Sequence, residues 1–181
     1  MTVPSASGTY ILLVRLSASH AIEIGRLGTI EFDAGVYSYV GSAFGPGGLA
    51  ARLRRAALGP RRLHWHIDYV LGEAAVVGAL VKDDNTRREC CWAQWVGKRA
   101  QSAVPGFGSS DCRCTSHFFF VGDKKRVEEM VRAAGYDLKA TFFERRSLMA
   151  RGDLVHRQNP DSRPQIIRVG TPAADTTTGG E

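Results

Sequence analysis

The stretch from Gly35 to Arg55, "GVYSYVGSAFGPGGLAARLRR", constrains the fold more than any other. Its first part alternates. Tyr37 and Tyr39 share one side of an extended chain, and Val36, Ser38 and Val40 share the other. "GPGG" at Gly45 to Gly48 then breaks the strand. Leu49 to Ala57 suits a short helix that Gly59 and Pro60 stop. A two-sided strand feeding a helix through a glycine loop needs a sheet with neighbours on both faces.

The rest of the chain supplies them. "GTYILLVRL" at Gly8 to Leu16 and the apolar run "AAVVGALV" read as strands, and "HFFFV" as another. The segment from His20 to Asp33 reads as short strands broken by Gly25 and Gly28. "LHWHIDYVLG" leans to helix, with Gly72 as its stop. A helix is expected from about Arg87 to Lys98, with Trp92, Trp95 and Val96 on one stripe. "SAVPGFGSSDCRC" is a long loop. Asp123 caps a last helix carrying Val127, Met130, Val131 and Ala134 and ended by Gly135. The domain is expected over residues 8–158. A Pro, Thr and Gly-rich tail over 159–181 is expected to be disordered.

Charge narrows the partners. The net charge of +6 is mild, but Arg52, Arg54, Arg55, Arg61 and Arg62 crowd one stretch without an acidic residue. Such a patch suits a polyanion, nucleic acid above all, or else forms a solvated helix face. No apolar run approaches the roughly 20 residues of a membrane span. The N-terminal run lacks a preceding basic residue and a small-residue cleavage site, so it reads as a strand rather than a signal peptide. Four cysteines are too few for a disulfide scaffold of this size, which points to reduced thiols and a cytoplasmic setting.

"GTY" at Gly8–Tyr10 and "YVG" at Tyr39–Gly41 resemble the paired signature of the GIY-YIG nuclease superfamily. "SAFGPGGLAARLRR" is similar to its loop and helix, and "HWHIDY" and "FGSSDCRCTSH" resemble marks of its Uri-type branch. The resemblance covers residues 8–121. It implies an α+β fold, a small central antiparallel sheet flanked by helices, and an endonuclease that hydrolyses nucleic-acid phosphodiester bonds with one Mg²⁺ or Mn²⁺ ion, DNA being expected ahead of RNA. It further implies Tyr10 and Tyr39 as active-site tyrosines, Arg52 as the phosphate arginine and Glu89 as the metal ligand. The wide spacing between the tyrosines implies an inserted hairpin.

Ala56 stands where the superfamily often carries His or Tyr, so His66, and after it His64, are the candidates for the missing base. Gly41, Ser42, Gly48, Arg54, Arg55, Arg61 and Arg62 are candidate substrate contacts, with the helix start at Leu49 adding its dipole. Local pattern offers Glu89 a second role, since "TRRE" fits a capping box with Thr86. Glu73 is the fallback ligand. Asp68 either orients an imidazole or caps a helix, and Ser110 and Asp111 border the site. A module that binds nucleic acid without cutting it is the alternative function. A third is a Cys/His metal protein, because Cys90, Cys112, Cys114 and His117 have zinc-ligand chemistry. Their C-x-C spacing, and the distance of Cys90 in sequence, favour instead a buried cluster of reduced thiols packing the loop.

Overall fold

The computed structural model describes residues 5–134 together with 139–142 and 167–169. The central sheet is antiparallel at every pairing. It contains β1 (Gly8–Leu16), β4 (Gly35–Ala43), β5 (Ala75–Lys82), β6 (Ser102–Ala103), β7 (Phe118–Gly122) and β8 (Lys139–Phe142), in the order β6-β7-β4-β1-β5-β8. The β1–β4 register sets Tyr10 opposite Gly41 and Leu12 opposite Tyr39. Both tyrosines therefore face the same side.

On that side lie α1 (Gly48–Leu58), through Leu49 and Leu53, and α2 (His66–Val70), through Ile67 and Val70. The residues inserted between the two tyrosine strands form the expected hairpin, β2 (His20–Glu23) and β3 (Thr29–Phe32). Its Ile24, Ile30 and Phe32 are buried in the same cluster, with Phe32 edge-on to Tyr37. Tyr37 is fully buried and donates its hydroxyl to the Asp33 carbonyl, so it is a core residue. The opposite face packs Ile11, Leu13 and Val40 against α3 (Glu89–Gly97) and α4 (Lys124–Ala133). The fold is thus three layers, α+β, with the central sheet expected from sequence. Asp123 caps α4 by accepting the Arg126 N–H at 3.0 Å, and Gly59 ends α1 with φ 78°.

Three expectations change. The helix of "LHWHIDYVLG" begins only at His66, because Leu63 to Trp65 are spent on a turn tied to Asp68. A short strand, β9 (Ile167–Val169), which lies within the stretch read as a tail, pairs parallel with β3. Its "QIIRVG" run has strand composition within polar surroundings. The start of α1 also does not face outward for an anion. Leu49 donates its N–H to the Ala6 carbonyl at 3.0 Å, and Gly48 donates to Gly45. A Cβ on Gly48, whose φ is 55°, would meet the backbone of Ser5 and Ala6, so this glycine is required for packing. Gly135 as a helix stop and the domain end at residue 158 lie outside the described residues.

Candidate active site

Four elements converge on one cleft of about 310 Å³ on the tyrosine side of the sheet. β1 contributes Tyr10, β4 contributes Tyr39 and Ser42, α1 contributes Arg52, and the first residue of α3 contributes Glu89. The tyrosine rings lie 6.3 Å apart and tilted by 54°. They can lie there only because residue 41 is glycine. A Cβ on Gly41 would come within 2.5 Å of the Tyr10 hydroxyl. Burial pushes both phenols well above the usual tyrosine value, and the Arg52 charge only partly offsets it. They stand in the cleft as neutral hydrogen-bond donors.

Leu49 and Leu53 seat α1 on the sheet, which turns Arg52, Arg55 and Ala56 into the cleft one helical turn apart. The Arg52 guanidinium lies over the Trp65 ring, 4.0 Å from its centroid. That contact holds the fork flat without using its N–H donors. Arg55 lies over the same ring at 4.9 Å and has hydrogen-bond partners as well. It bonds Asp68 at 2.7 Å and the Arg62 carbonyl at 2.7 Å. Asp68, almost fully buried, also accepts the backbone N–H groups of His64 and Trp65 at 2.9 and 3.1 Å. Of its two expected roles, capping is the one it performs. One carboxylate thereby ties α1 to the turn that carries Trp65. Arg54, Arg61 and Arg62 are exposed and lie outside the cleft lining.

Glu89 reaches the cleft from the opposite layer. The Arg88 N–H donates to the buried Thr9 hydroxyl at 3.3 Å, which pins the start of α3 to β1. The capping-box expectation for Glu89 fails. Thr86 donates its N–H to Asp84 instead, and the Glu89 carboxylate turns to His117 Nδ1 at 3.2 Å and to Ser42. Burial alone would raise this carboxyl. The hydrogen bonds from His117 and Ser42 outweigh burial and hold it below the usual range, as an anion. Glu73, the fallback ligand, is away from the cleft beside His20.

The two candidate imidazoles differ. His66 Nδ1 accepts the Gly108 N–H at 3.0 Å, and the ring packs on Phe107. In the neutral ring Nε2 then carries the proton, so His66 offers the cleft a donor and has no free base nitrogen. Burial, with help from Arg26, also lowers its affinity for a second proton. His64 is exposed on the rim beside Trp65, 4.7 Å between ring centroids. Ser110 and Asp111 line the cleft as expected.

A family model described as "Domain of unknown function DUF123" matches residues 9–140, most of the chain. The chain belongs to the DUF123 family. No curated protein and no solved structure matches it. The matched span takes in every DUF123 residue named in the cleft. It also takes in one feature that sequence reading missed and one that it named but set aside. Trp65 is the platform for Arg52, a role visible only once α1 and the turn before α2 are side by side. The second is the quartet Cys90, Cys112, Cys114 and His117. Cys90 is exposed, Cys112 and Cys114 are partly buried, with Cys114 packed against the core of the second layer, and His117 is buried. Spacing argued against a shared site, yet the fold brings all four ligand atoms within 4.8 Å of one another. Among the described residues no helix is long and apolar enough to cross a membrane.

Proposed function

We propose that the cleft hydrolyses phosphodiester bonds in nucleic acid, as an endonuclease of the GIY-YIG type and its Uri-type branch. One observation carries the reading: Tyr10, Tyr39, Arg52 and Glu89, distant in sequence, line a single cleft. Phosphodiester hydrolysis needs positive charge on the phosphoryl oxygens, a proton acceptor for the attacking water and support for the leaving oxygen. Arg52, held flat by Trp65, presents a bidentate fork to two nonbridging oxygens. The protonated phenols of Tyr10 and Tyr39 donate hydrogen bonds to the phosphoryl and leaving oxygens. His64, exposed on the rim, accepts the proton of the attacking water.

The cleft floor combines the Glu89 carboxylate with the Ser42 and tyrosine hydroxyls, an oxygen donor set that fits a hard divalent ion. Glu89 would hold Mg²⁺ or Mn²⁺, which when bound supplies charge neutralisation and a more acidic water. Arg54, Arg61 and Arg62, exposed beyond the cleft, contact flanking phosphates. DNA is the preferred substrate class of this reading, and the cytoplasm, where the free thiols stay reduced, is its setting. The test is a panel of duplex, branched and single-stranded DNA and RNA, incubated with the full chain with and without Mg²⁺ or Mn²⁺. Metal-dependent cleavage of any member supports the proposal. Tight binding with no cleavage throughout would replace it with the binding-module reading.

A further inference from the structure

The loop between β6 and β7 lines the cleft with Gly108, Ser110 and Asp111, but its Cys112, Cys114 and His117 are outside that lining. Gly106 and Gly108 adopt φ of 74° and 69°, which turns the loop back on itself. Backbone bonds Gly106 to Thr115 (2.8 Å), His117 to Phe107 (2.7 Å) and Cys112 to Ser109 (3.4 Å) then fix the curl. The result aims Cys112, Cys114 and His117 at Cys90, the second residue of α3. Zn–S and Zn–N bonds of about 2.3 and 2.0–2.1 Å give tetrahedral ligand separations of roughly 3.5–3.8 Å. The Cys112 Sγ to His117 Nε2 distance is already 3.5 Å, and the widest separation in the quartet is within 4.8 Å. Shifts of about 1 Å in the thiol side chains close the tetrahedron. Cys91, next in the chain, is exposed and outside the quartet.

His117 decides the chemistry. It is 2% exposed, its Nε2 faces the thiols, and its Nδ1 faces Glu89 at 3.2 Å. A metal on Nε2 requires the proton on Nδ1, and Glu89 is placed to accept it. Carboxylate–histidine–zinc relays have this form. Three thiolates and an imidazole with no open position form a structural zinc set, unlike the oxygen-lined cleft beside it.

We propose that Cys90, Cys112, Cys114 and His117 bind one structural Zn²⁺ ion, which clamps the β6–β7 loop to the start of α3. The site stands on its own geometry. Its link to the cleft, through the hydrogen bond from His117 to Glu89, rests on the nuclease reading.

The experiment uses the full chain, purified with zinc in the medium and no chelator, with metal content and thiol reactivity measured together. About one zinc per chain is expected. In the native protein Cys91 alone should react quickly with a thiol reagent, and all four cysteines should react after a chelator is added. Cobalt in place of zinc should give the intense absorption of a tetrahedral thiolate site. Cys112→Ser should lower the zinc content severalfold, and Cys91→Ser should leave it unchanged. Should Cys112→Ser fail to fold, titration of the metal-stripped wild type with zinc alone still decides the matter. Glu89→Gln keeps a carbonyl for the His117 proton, so it should lose cleavage yet hold zinc, which separates failure of this site from failure of the nuclease reading. A native chain without zinc, with four equally reactive thiols and no cobalt spectrum, would overturn the proposal. So would a disulfide within the quartet in freshly purified protein.

Discussion

At the scale of the residue, the cleft depends on side chains held by partners more than on their identity alone. Arg52 shows this. Its charge is common to lysine, but its planar fork is what stacks on Trp65 and what matches two phosphate oxygens. Arg52→Lys is expected to keep thermal stability and to lose about 10²–10³-fold in kcat, as removal of a transition-state donor typically does. A wild-type rate in this variant would remove the clamp role. Asp68 is the counterpart without chemistry. One of its oxygens takes two backbone N–H groups and Arg55, whose side chain is one-third exposed, so screening discounts the ion pair. Asp68→Asn should destabilise the chain by about 1–3 kcal/mol in urea unfolding. It should also raise KM for nucleic acid more than it lowers kcat, because it loosens the turn that carries Trp65.

At the scale of the element, local pattern was a good guide wherever local physics sets the outcome. β1 has the limits that its apolar run gave it, α1 ends at the glycine that was expected to stop it, and Asp123 caps α4. It failed where a distant partner competes. Thr86 to Glu89 has the spacing of a capping box, but His117 and Ser42 offer the carboxylate better bonds than its own helix does. His66 was a reasonable base until Gly108, 42 residues on, occupied its Nδ1. The cysteine spacing did not foresee that the fold sets Cys112, Cys114 and His117 beside Cys90 at the start of α3. The arginine-rich stretch divides in the same way. Arg52 and Arg55 are committed by α1 to the cleft, whereas Arg61 and Arg62 sit exposed on the turn after it. The double variant Arg61→Ala, Arg62→Ala should therefore weaken binding without changing the cleavage site. Its plot of log affinity against log salt should flatten by nearly one unit for each phosphate that an arginine no longer neutralises. An unchanged slope would make the pair solvated surface.

At the scale of the whole molecule, the sheet separates two layers, and Glu89 is where they meet. The tyrosine face presents Tyr10, Tyr39 and Arg52, while α3, which carries Glu89, belongs to the layer packed on the other face. The strands and helices were legible in the sequence because they are strongly patterned, whereas these four cleft residues were named from the resemblance of "GTY", "YVG" and the stretches after them to a known signature. Their convergence, and the relay from the Cys/His quartet through His117, depend on tertiary packing that pattern does not encode. On the proposed reading, Glu89 serves a metal in the cleft and not its own helix. Glu89→Gln tests this most directly, because glutamine preserves shape and the bond from His117 but removes the charge a divalent ion requires. The measurement is the single-turnover cleavage rate of wild type and Glu89→Gln on the best substrate of the panel, across a Mn²⁺ titration, with binding affinity and thermal midpoint recorded for both. Unchanged binding and midpoint with cleavage reduced at least about a hundredfold is the predicted result. Cleavage by Glu89→Gln at the wild-type rate and metal dependence would contradict it.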